Sequence, residues 1–352
     1  MSITSPATRV LTSRLERKIM SAETAAGLIQ SGDQIGMSGF NGSGYPKAVP
    51  IELAHRIADA HFRGEKFQVS VFTGASTGPE LDGALARAGG IHLRLPYQSD
   101  PETRKRINAG EMDYMDIHLS HVAQFVEYGF LGKLDVALIE VTAILEDGRV
   151  VPSSSLGNNK TWIDCAERVI LEVNSWQPAA LEGMHDIYYG LEPPPNRKPI
   201  PLVKPGQRIG SPYLNIPAEK IVGIVLTDSP DRNSAFKAPD EASKRIAGHI
   251  LEFLSWEVKK GRMQGNLLPL QSGVGNIANA VLFGLEEGPF EGLTSYTEVI
   301  QDGMIRLLKS GKLTSASATA FWLSPEMLNE MNAGGYGVVS RAHRAAAAGY
   351  IE

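Results

Sequence analysis

The chain has 352 residues, of which 43% are hydrophobic and 21% are charged, a composition typical of an ordinary globular protein of about two domains. Its formal net charge of −5 excludes a basic field for nucleic acid or anionic lipid, and no run approaches the roughly 20 apolar residues of a membrane span. The single cysteine, Cys165, excludes an intrachain disulfide and is typical of a reducing compartment. We therefore expect a cytoplasmic protein that binds neither nucleic acid nor membrane.

The first half of the sequence alternates predicted strands with short helices. Apolar, β-branched runs predict the strands, and caps or apolar stripes predict the helices between them. The strands are predicted at residues 34–38, 67–73, 134–141 and 168–174. The helices are predicted at residues 22–30, after Pro50, and at 80–88. This alternation favours a mostly parallel sheet that helices cover on both faces.

A glycine-rich loop, GFNGSGYP at residues 39–46, lies between the first predicted strand and the next helix. The order strand, glycine loop, helix lets backbone amides approach a phosphate or a ligand chain closely. Its spacing matches neither the dinucleotide motif G-x-G-x-x-G nor a P-loop, which argues against a nicotinamide dehydrogenase. The pattern alone leaves open both a ligand-binding loop and a plain strand-to-helix turn. The candidate ligand-binding positions are Gly39, Gly42, Gly44 and Pro46.

Several polar residues in this half are interpreted as structural. Asp116, His118 and His121 fall within six residues, but no further cysteine or carboxylate stands at ligand spacing. Packing or hydrogen bonding is therefore favoured over metal binding, and we predict no metal site. Glu140 and Asn174 lie at the ends of predicted strands, where they are interpreted as caps or turn residues and not as catalytic groups.

The middle of the chain is predicted to contain the crossover between two domains. Residues 192–201, EPPPNRKPIP, are too rich in proline for a helix or a central strand and favour extended surface chain. A new strand is predicted at 220–227 and a long amphipathic helix at 241–260. This helix is predicted to bury Ile246, Ile250, Leu251, Phe253 and Leu254. The predicted domains therefore span residues 1–219 and 220–331, followed by a tail at 332–352.

The stretch from residue 267 to 311 carries the strongest candidates for chemistry. A glycine turn, Gly273-Val274-Gly275-Asn276, follows an apolar run and precedes a small-residue helix predicted at 277–285. Downstream, Glu298 stands alone in a second apolar run, just before a further predicted helix. A carboxylate at the carboxyl end of a strand lies where open α/β sheets place their chemistry, and the turn offers free amides to a polarised oxygen. The alternative is a glutamate that only complements the dipole of the following helix.

These segments form part of a longer ordered pattern. It includes GFNGSGYPKAVP, TGASTGPELD, RLPYQSD, INAGEMDYMDIHLSH, LDVALIE, MHDIY and TEVIQDG, in this order along the chain. The pattern resembles the acetyl-CoA hydrolase and CoA-transferase family, close to the succinyl-CoA:acetate CoA-transferases, over roughly residues 21–325. The resemblance implies two open, mostly parallel α/β domains of related topology, the fold of class I CoA-transferases. It also implies that Glu298 is the covalent nucleophile, that the 39–46 loop shapes the CoA and substrate site, and that residues 273–276 supply amides and CoA contacts.

The activity implied by the resemblance is CoA transfer between an acyl-CoA and a small carboxylate. Succinyl-CoA or acetyl-CoA would react with acetate or succinate through a glutamyl-CoA thioester. CoA thioesters are then substrates, and no separate cofactor is expected. Acetyl-CoA hydrolysis and CoA transfer to 4-hydroxybutyrate or propionate remain alternatives, because entry of water in place of the acceptor gives hydrolysis. The default oligomer is a homodimer.

The family pattern stops near the end of the sequence. After about residue 332 the chain continues as GGYGVVSRAHRAAAAGYIE, which does not match the family. We therefore expect an incomplete second domain. The non-enzyme alternative is an inactive truncated remnant, or one half of an enzyme that a second chain completes.

Overall fold

A parallel sheet forms the larger part of the structure, a computed structural model that describes residues 9–190, 192, 194–233, 239–335 and 347–348. The strands of this part are, in chain order, β1 (Gln34–Met37), β2 (Val69–Phe72), β3 (Ile91–Leu95), β4 (Asp113–Tyr114), β5 (Val136–Ile144), β6 (Val150–Pro152), β7 (Arg168–Asn174), β8 (His185–Asp186) and β9 (Ile221–Thr227). The sheet has the order β4-β3-β2-β1-β5-β7-β9, and each neighbouring pair is parallel. β6 pairs in the antiparallel direction with the second half of β5.

Helices cover both faces of this sheet. They are α1 (Ser13–Glu16), α2 (Ala22–Gly27), α3 (Ala48–Phe62), α4 (Ala84–Arg87), α5 (Pro101–Asn108), α6 (Leu119–Glu127) and α7 (Asn159–Cys165). The central strands β2 and β5 are buried along their whole length, as expected when both faces are covered. Trp162 of α7 packs so closely on β1 that a Cβ at Gly36 would lie 2.6 Å from its ring. The indole therefore occupies space that only a glycine leaves free.

The pairing of β9, the last strand of the sheet, contradicts the predicted domain boundary between residues 219 and 220. β9 pairs with β7, from Val169 opposite Ile221 to Asn174 opposite Thr227. The sequence predicted that this strand opens the second domain, but its ladder hydrogen bonds place it in the first. A buried, β-branched strand fits any parallel neighbour, so composition could not assign it to a sheet. The proline-rich segment at 194–201 therefore lies within the first unit, and the chain crosses over after Thr227.

The second unit contains a smaller set of parallel strands. Its elements are α8 (Glu241–Lys259), β10 (Pro269–Leu270), α9 (Asn276–Glu287), β11 (Leu293–Tyr296), β12 (Val299–Ile300), α10 (Asp302–Lys309), β13 (Leu313–Ser317), β14 (Ala320–Phe321) and α11 (Pro325–Glu330). β10, β11 and β13 form one parallel sheet, and β12 and β14 form a separate parallel pair. Its buried core includes Leu282, Leu293, Ile305 and Leu313. A last short strand, β15 (Ala347–Ala348), pairs with β8.

Helix α8 buries a narrower face than the sequence predicted. Ile246 is 41% exposed and Phe253 is 59% exposed, so the prediction that both face inward is wrong. Leu251 and Leu254 pack against the core as predicted. Leu251 fills the space beside Gly284 of α9, where a Cβ would lie 2.2 Å from it. One neighbouring helix covers only one stripe of α8, and apolar side chains outside that stripe stay in water. Despite these side chains, no helix within the described ranges is long and apolar enough to cross a membrane.

Candidate active site

The candidate catalytic carboxylate lies at the end of the small parallel sheet. Glu298 follows the last residue of β11 by two positions and immediately precedes β12. Its carbonyl accepts a hydrogen bond from the Thr319 amide at 3.0 Å, and the Thr297 amide donates to the Ser317 carbonyl at 2.9 Å. These bonds fix the Glu298 backbone beyond the carboxyl end of β11, which is where open α/β sheets carry their sites.

Glu298 faces two cavities at once. The first, which we call the large cavity, has a volume of about 820 Å³. Its lining includes Asn41, Tyr97, Asp116, His118, His121 and Trp322. The second, which we call the small cavity, has a volume of about 390 Å³. Its lining includes Phe40, Ser120, Ala123, Asn158, Thr297 and Thr319. Glu298 and Leu119 belong to both linings, so Glu298 borders both cavities.

The Glu298 carboxyl group is only partly shielded from water. Its side chain is half-buried, and burial raises the pKa of this carboxyl above that of an exposed glutamate. In the part of the chain that the structure describes, no side chain donates a hydrogen bond to this carboxylate or forms an ion pair with it. A carboxylate without a cationic partner keeps its lone pairs free to attack a carbon or to take a proton.

The glycine turn at 273–276 is tied to the segment that carries Glu298. Thr297 Oγ1 donates to the Ser272 carbonyl at 3.1 Å and accepts from the Ser272 amide at 3.3 Å. Gln301 Nε2 donates to the Gly273 carbonyl at 2.8 Å. Val274 lines the large cavity together with Glu298. The structure therefore brings the turn and the carboxylate together.

The rest of the turn faces a different space. Gly273, Val274, Gly275 and Asn276 line a groove of about 700 Å³ that runs along α9. Gly275 has a φ of 144°, a conformation that favours glycine, and it directly precedes the helix. The first amides of a helix have no acceptor within it, so they are available to an oxygen of a bound molecule. Val274 lines the large cavity with Glu298, whereas Gly273, Gly275 and Asn276 line neither the large nor the small cavity.

The glycine-rich loop presents two residues to the cavities that the sequence did not single out. Phe40 lines the small cavity and Asn41 lines the large one. Gly39, with a φ of 118°, lies behind them. Its carbonyl oxygen would be 2.9 Å from a Cβ at Gly74, a residue that lines the small cavity. The glycines let this backbone pass close to the cavity wall. The glycine pattern in the sequence predicted a loop here, but it did not show which of its residues line a cavity.

The other predicted loop positions pack against the first unit and line neither cavity. A Cβ at Gly42 would lie 2.4 Å from the Arg232 carbonyl oxygen, so the two backbones are in contact. The Gly44 amide donates to Asp231 Oδ1 at 3.1 Å. Pro46 is buried just before α3. These residues hold the loop in place from behind.

A buried charge network lies beneath the loop. Lys47 Nζ is 2.7 Å from Glu140 Oε2 and 3.2 Å from Asp231 Oδ1, and all three side chains are at most 3% exposed. The interpretation of Glu140 as a cap or turn residue is wrong, because β5 runs past the predicted end and places Glu140 inside the strand. Asn174 ends β7 as expected and donates to Glu140 Oε2 at 3.0 Å. Burial raises the pKa of Glu140 to about 7, although Lys47 favours the ionised form.

This network is connected to the second unit through Ser154. Ser154 Oγ donates to Asp231 Oδ2 at 2.5 Å. The Ser154 carbonyl accepts from the Phe321 amide at 3.1 Å. Phe321 belongs to β14, and β14 pairs with β12, the strand that begins immediately after Glu298. The buried charges of the first unit are therefore linked through Ser154 to β14, and β14 pairs with the strand that follows Glu298.

The histidine cluster faces the large cavity. His118 and His121 contact each other edge to face with ring centroids 5.2 Å apart, and His121 stacks on Phe125 at 6.2 Å. Asp116 lines the same cavity. Among the described residues, no three side chains of His, Cys, Asp or Glu are arranged to hold a metal ion. The interpretation of these residues as packing groups is therefore incomplete, because they also border the space beside Glu298.

Asn158 is a second site residue that the sequence did not indicate. It lines the small cavity, and its buried Nδ2 has no hydrogen-bond partner among the residues that the structure describes. It stands at the N-cap of α7 but makes no side-chain cap hydrogen bond. A glycine-asparagine pair before a helix is an ordinary capping signal, so the sequence offered no reason to place this amide in a site.

Relatives with known names match most of the chain. The sequence profile described as the acetyl-CoA hydrolase/transferase N-terminal domain matches residues 6–226. The succinyl-CoA:acetate CoA-transferase of Clostridium kluyveri is 45% identical over 322 residues, which are 92% of this chain and 59% of that protein. The acetyl-CoA hydrolase of Schizosaccharomyces pombe is 41% identical over 303 residues, 84% of this chain and 58% of that protein. This chain thus spans about three fifths of the length of these curated relatives.

Solved structures share the fold. RipA from Yersinia pestis superimposes with a TM-score of 0.67 at 18% sequence identity, covering 95% of this chain and 68% of RipA. A 4-hydroxybutyrate CoA-transferase from Porphyromonas gingivalis superimposes with a TM-score of 0.60 at 17% identity, covering 95% of this chain and 68% of that protein. The predicted α/β fold with mostly parallel strands, similar to that of CoA-transferases, is confirmed.

Proposed function

The chain belongs to the acetyl-CoA hydrolase/transferase family, and on this basis we propose that it transfers CoA between an acyl-CoA and a small carboxylate through Glu298. One observation supports this role most directly. Glu298 is half-buried, has no ion-pair partner among the described side chains, and borders two cavities. Two cavities beside one nucleophile give room for the CoA thioester and for the small acid.

The first half-reaction loads CoA onto the protein. A Glu298 oxygen attacks the thioester carbonyl carbon, and collapse of the tetrahedral intermediate breaks the carbon–sulfur bond. This gives a mixed anhydride of Glu298 and the acyl group, and the CoA thiolate is released. The thiolate then attacks the glutamyl carbonyl of the anhydride, and the acyl group leaves as a carboxylate. The product is a Glu298–CoA thioester.

The second half-reaction is the reverse with a different acid. The acceptor carboxylate attacks the Glu298–CoA carbonyl, the thiolate leaves, and a new mixed anhydride forms. The thiolate then attacks the acyl carbonyl of that anhydride, which releases the new acyl-CoA and restores the Glu298 carboxylate. Electrons and atoms balance without an oxidant, so CoA thioesters and carboxylates are the reactants and no further cofactor is proposed.

Each tetrahedral intermediate carries a negative oxygen that needs donors about 3 Å away, and loss of one such donor typically lowers the rate by about 10²- to 10³-fold. The Val274 amide is the donor that we propose, because Val274 lines the large cavity together with Glu298. The raised pKa of Glu298 fits the role of a nucleophile, since a more basic carboxylate is the stronger nucleophile in its ionised form.

Hydrolysis of the acyl-CoA is the second candidate function. It is favoured by the half-exposed position of Glu298, because water that reaches the intermediate competes with the acceptor acid. The two activities share the first half-reaction and differ only in what attacks the intermediate.

Mass spectrometry of the full chain after incubation with acetyl-CoA or succinyl-CoA tests the proposal. We expect a CoA-sized adduct on the peptide that contains Glu298, and its loss in Glu298→Gln, a variant of nearly the same shape. Circular dichroism checks that both proteins are folded. Added acetate or succinate should then remove the adduct and give a new acyl-CoA, whereas release of free CoA alone would indicate hydrolysis. A folded wild-type protein without adduct, or an adduct that persists in Glu298→Gln, would overturn the role of Glu298.

We also propose that the protein works as a homodimer in the cytoplasm. The single cysteine supports a reducing compartment, and the exposed Phe253 and Trp256, 59% and 50% accessible, support an interface between copies. Light scattering coupled to size-exclusion chromatography measures the mass of the particle. A mass equal to that of one chain at micromolar concentration would overturn the dimer.

A further inference from the structure

We propose that the open side of β10 and the groove beside it bind an apolar, parallel β-strand that a separate polypeptide supplies. In this proposal the added strand extends the sheet of the second unit in the way that β5 extends the sheet of the first. The inference concerns an interaction surface, and it does not depend on the chemistry proposed for Glu298.

The two units repeat the same order of elements. In the first unit, α2, β1, α3, β2, α4 and β3 follow one another, and the three strands lie side by side in parallel. In the second unit, α8, β10, α9, β11, α10 and β13 follow one another, with only the short β12 between β11 and α10. Strands β10, β11 and β13 again lie side by side in parallel. Helix α8 packs on α9 as α2 packs on α3, so β10 is the counterpart of β1.

These two counterpart strands differ in what lies on their second side. On the side away from β2, β1 pairs with β5, from Ile35 opposite Val136 to Met37 opposite Leu138. On the side of β10 away from β11, no strand of the described residues pairs with it. An open strand edge offers backbone groups to an added strand, and folded proteins normally cover such an edge. This side of β10 is therefore a place where a further strand can join the sheet.

The apolar surface beside β10 is open where its counterpart in the first unit is filled. There, one buried core joins Ala26 of α2 and Leu53 of α3 to Val136, Ile170 and Val225 of β5, β7 and β9. In the second unit, a groove of about 700 Å³ lies at the same place, beside α8 and α9. Four apolar side chains that are not fully buried line it: Ile250, Leu270, Ile277 and Val281. The groove therefore corresponds to the space that β5 and its neighbours fill in the first unit.

The first unit also indicates which kind of segment fills this space. β5 is buried along its whole length, and its residues are apolar apart from Glu140 and Thr142. The β5 of a second copy is already paired with β1 and β7, so it is not free to join β10. The occupant is therefore a different polypeptide with an apolar strand. Relatives contain further chain in which such a strand can lie, because the match to the Clostridium kluyveri transferase leaves about two fifths of that protein outside it.

The backbone that leads into β10 supplies an independent observation. Leu267 and Leu268 have φ angles of 58° and 60°, in the left-handed region that leucine rarely adopts. As a result β10 begins only at Pro269 and is two residues long, whereas β1 is four residues long. Leu268 is also 50% exposed. A strand paired with the open side of β10 would favour the extended conformation in both leucines and so lengthen β10.

Co-expression of the full chain with a defined probe tests the proposal. The probe is the part of the Clostridium kluyveri transferase that lies outside its match to this chain, fused to maltose-binding protein so that it stays soluble. We expect the chain and the probe to co-purify in a one-to-one ratio, and maltose-binding protein alone not to bind. Hydrogen exchange of the backbone amides between residues 268 and 272 should slow by about 10-fold or more in the complex, because the added strand shields them from water.

Ile277→Asp tests the groove itself. Ile277 is half-exposed on α9, so the circular dichroism of the variant chain alone should match that of the wild type. We expect its affinity for the probe to fall by about 10-fold or more, because the probe would bury a carboxylate without a positive partner. Phe62→Asp places the same charge at the exposed end of α3, far along the chain from the groove, and should bind the probe as the wild type does.

Three results would overturn the proposal. The first is a soluble probe that elutes apart from the wild-type chain. The second is a probe that binds Ile277→Asp as tightly as the wild type, which would place its contact elsewhere. The third concerns a second copy as the occupant and comes from light scattering on the chain without probe. A dimer that Ile277→Asp converts into monomers would assign the groove to self-association.

Discussion

The Gln301 side chain donates its Nε2 hydrogen to the Gly273 carbonyl at 2.8 Å and thereby joins the segment of Glu298 to the glycine turn. Gln301 is completely buried and stands three positions after the carboxylate. The turn and the nucleophile belong to different strand-to-helix connections, and this bond fixes one relative to the other.

Gln301→Ala should therefore slow the chemistry more than it weakens the fold. We expect adduct formation on Glu298 to slow by about 10-fold, because loss of positioning by about 1 Å is costly to rate. The free energy of unfolding should fall by only about 0.5–1.5 kcal/mol, the usual net contribution of one hydrogen bond, because Gly273 is exposed and water can replace the lost donor. Adduct kinetics and urea denaturation measure the two effects.

Gln207→Ala is the control for this variant. Gln207 donates to the Pro201 carbonyl in an exposed loop, and its removal should change neither quantity. If Gln301→Ala forms the Glu298 adduct at the wild-type rate, the hydrogen bonds between Ser272 and Thr297 are sufficient to hold the turn.

The pH dependence of loading reports on the burial of Glu298. Burial raises the pKa of this carboxyl, and only the ionised form attacks the thioester. The rate of adduct formation should therefore decline, as pH is lowered, at a pH above the value of about 4.3 for an exposed glutamate. Rapid-quench measurements between pH 4 and pH 8 would locate this limb. If the rate instead declines at or below the pKa of an exposed glutamate, the result would contradict the burial of the nucleophile.

Lys47 neutralises two buried carboxylates, and its replacement should be strongly destabilising. Lys47→Met leaves Glu140 and Asp231 without their shared cation, and loss of one partner from a buried ion pair typically costs about 3–5 kcal/mol. Urea denaturation of the purified variant measures the loss. Arg63→Met removes an exposed partner of Glu65 and should leave the urea midpoint unchanged. Equal midpoints for wild type and Lys47→Met would show that the network contributes nothing to stability.

His185 should make the protein sensitive to mild acid. Burial lowers the pKa of His185 to about 4, and its Nε2 lies 2.9 Å from the Ser153 carbonyl. In the unfolded chain a histidine titrates near about 6.5, so the unfolded state binds a proton first as the pH falls. Stability contributed by the neutral form is therefore complete above about pH 6.5 and is lost as the pH falls towards 4, by about 3 kcal/mol.

Comparison of wild type with His185→Gln isolates this contribution. The difference in unfolding free energy between the two proteins should narrow between pH 6.5 and pH 4. A difference that stays constant over this range would mean that His185 does not titrate on unfolding.

The sequence predicted those features whose signal is local. β7 begins and ends at the predicted residues, Arg168 and Asn174, because a β-branched apolar run ends at a residue that favours turns. The order of motifs predicted the family and the α/β fold, and the structure brings Val274 into the same cavity as Glu298. The roles assigned to these two residues are predictions that the proposed experiments test.

Features set by tertiary contacts were not predictable in this way. The strand β9 could have joined either sheet, and only its pairing with β7 assigns it. Glu140 was interpreted as a strand end because nothing local shows that Lys47 lies 2.7 Å away. In the glycine-rich loop, the glycines marked the unusual backbone, whereas Phe40 and Asn41, which face the cavities, have no local signature.

The contacts between the two units also affect when the site forms during folding. Ser43 Oγ donates to the Phe321 carbonyl, a bond between residues that are 278 positions apart in the chain. Contacts of such separation form late, because the loop-closure entropy must be overcome before they contribute. Each sheet pairs largely within its own part of the chain and can form earlier. We therefore expect the space around Glu298 to be completed late in folding, so that partly folded molecules lack the arrangement needed to attack a thioester.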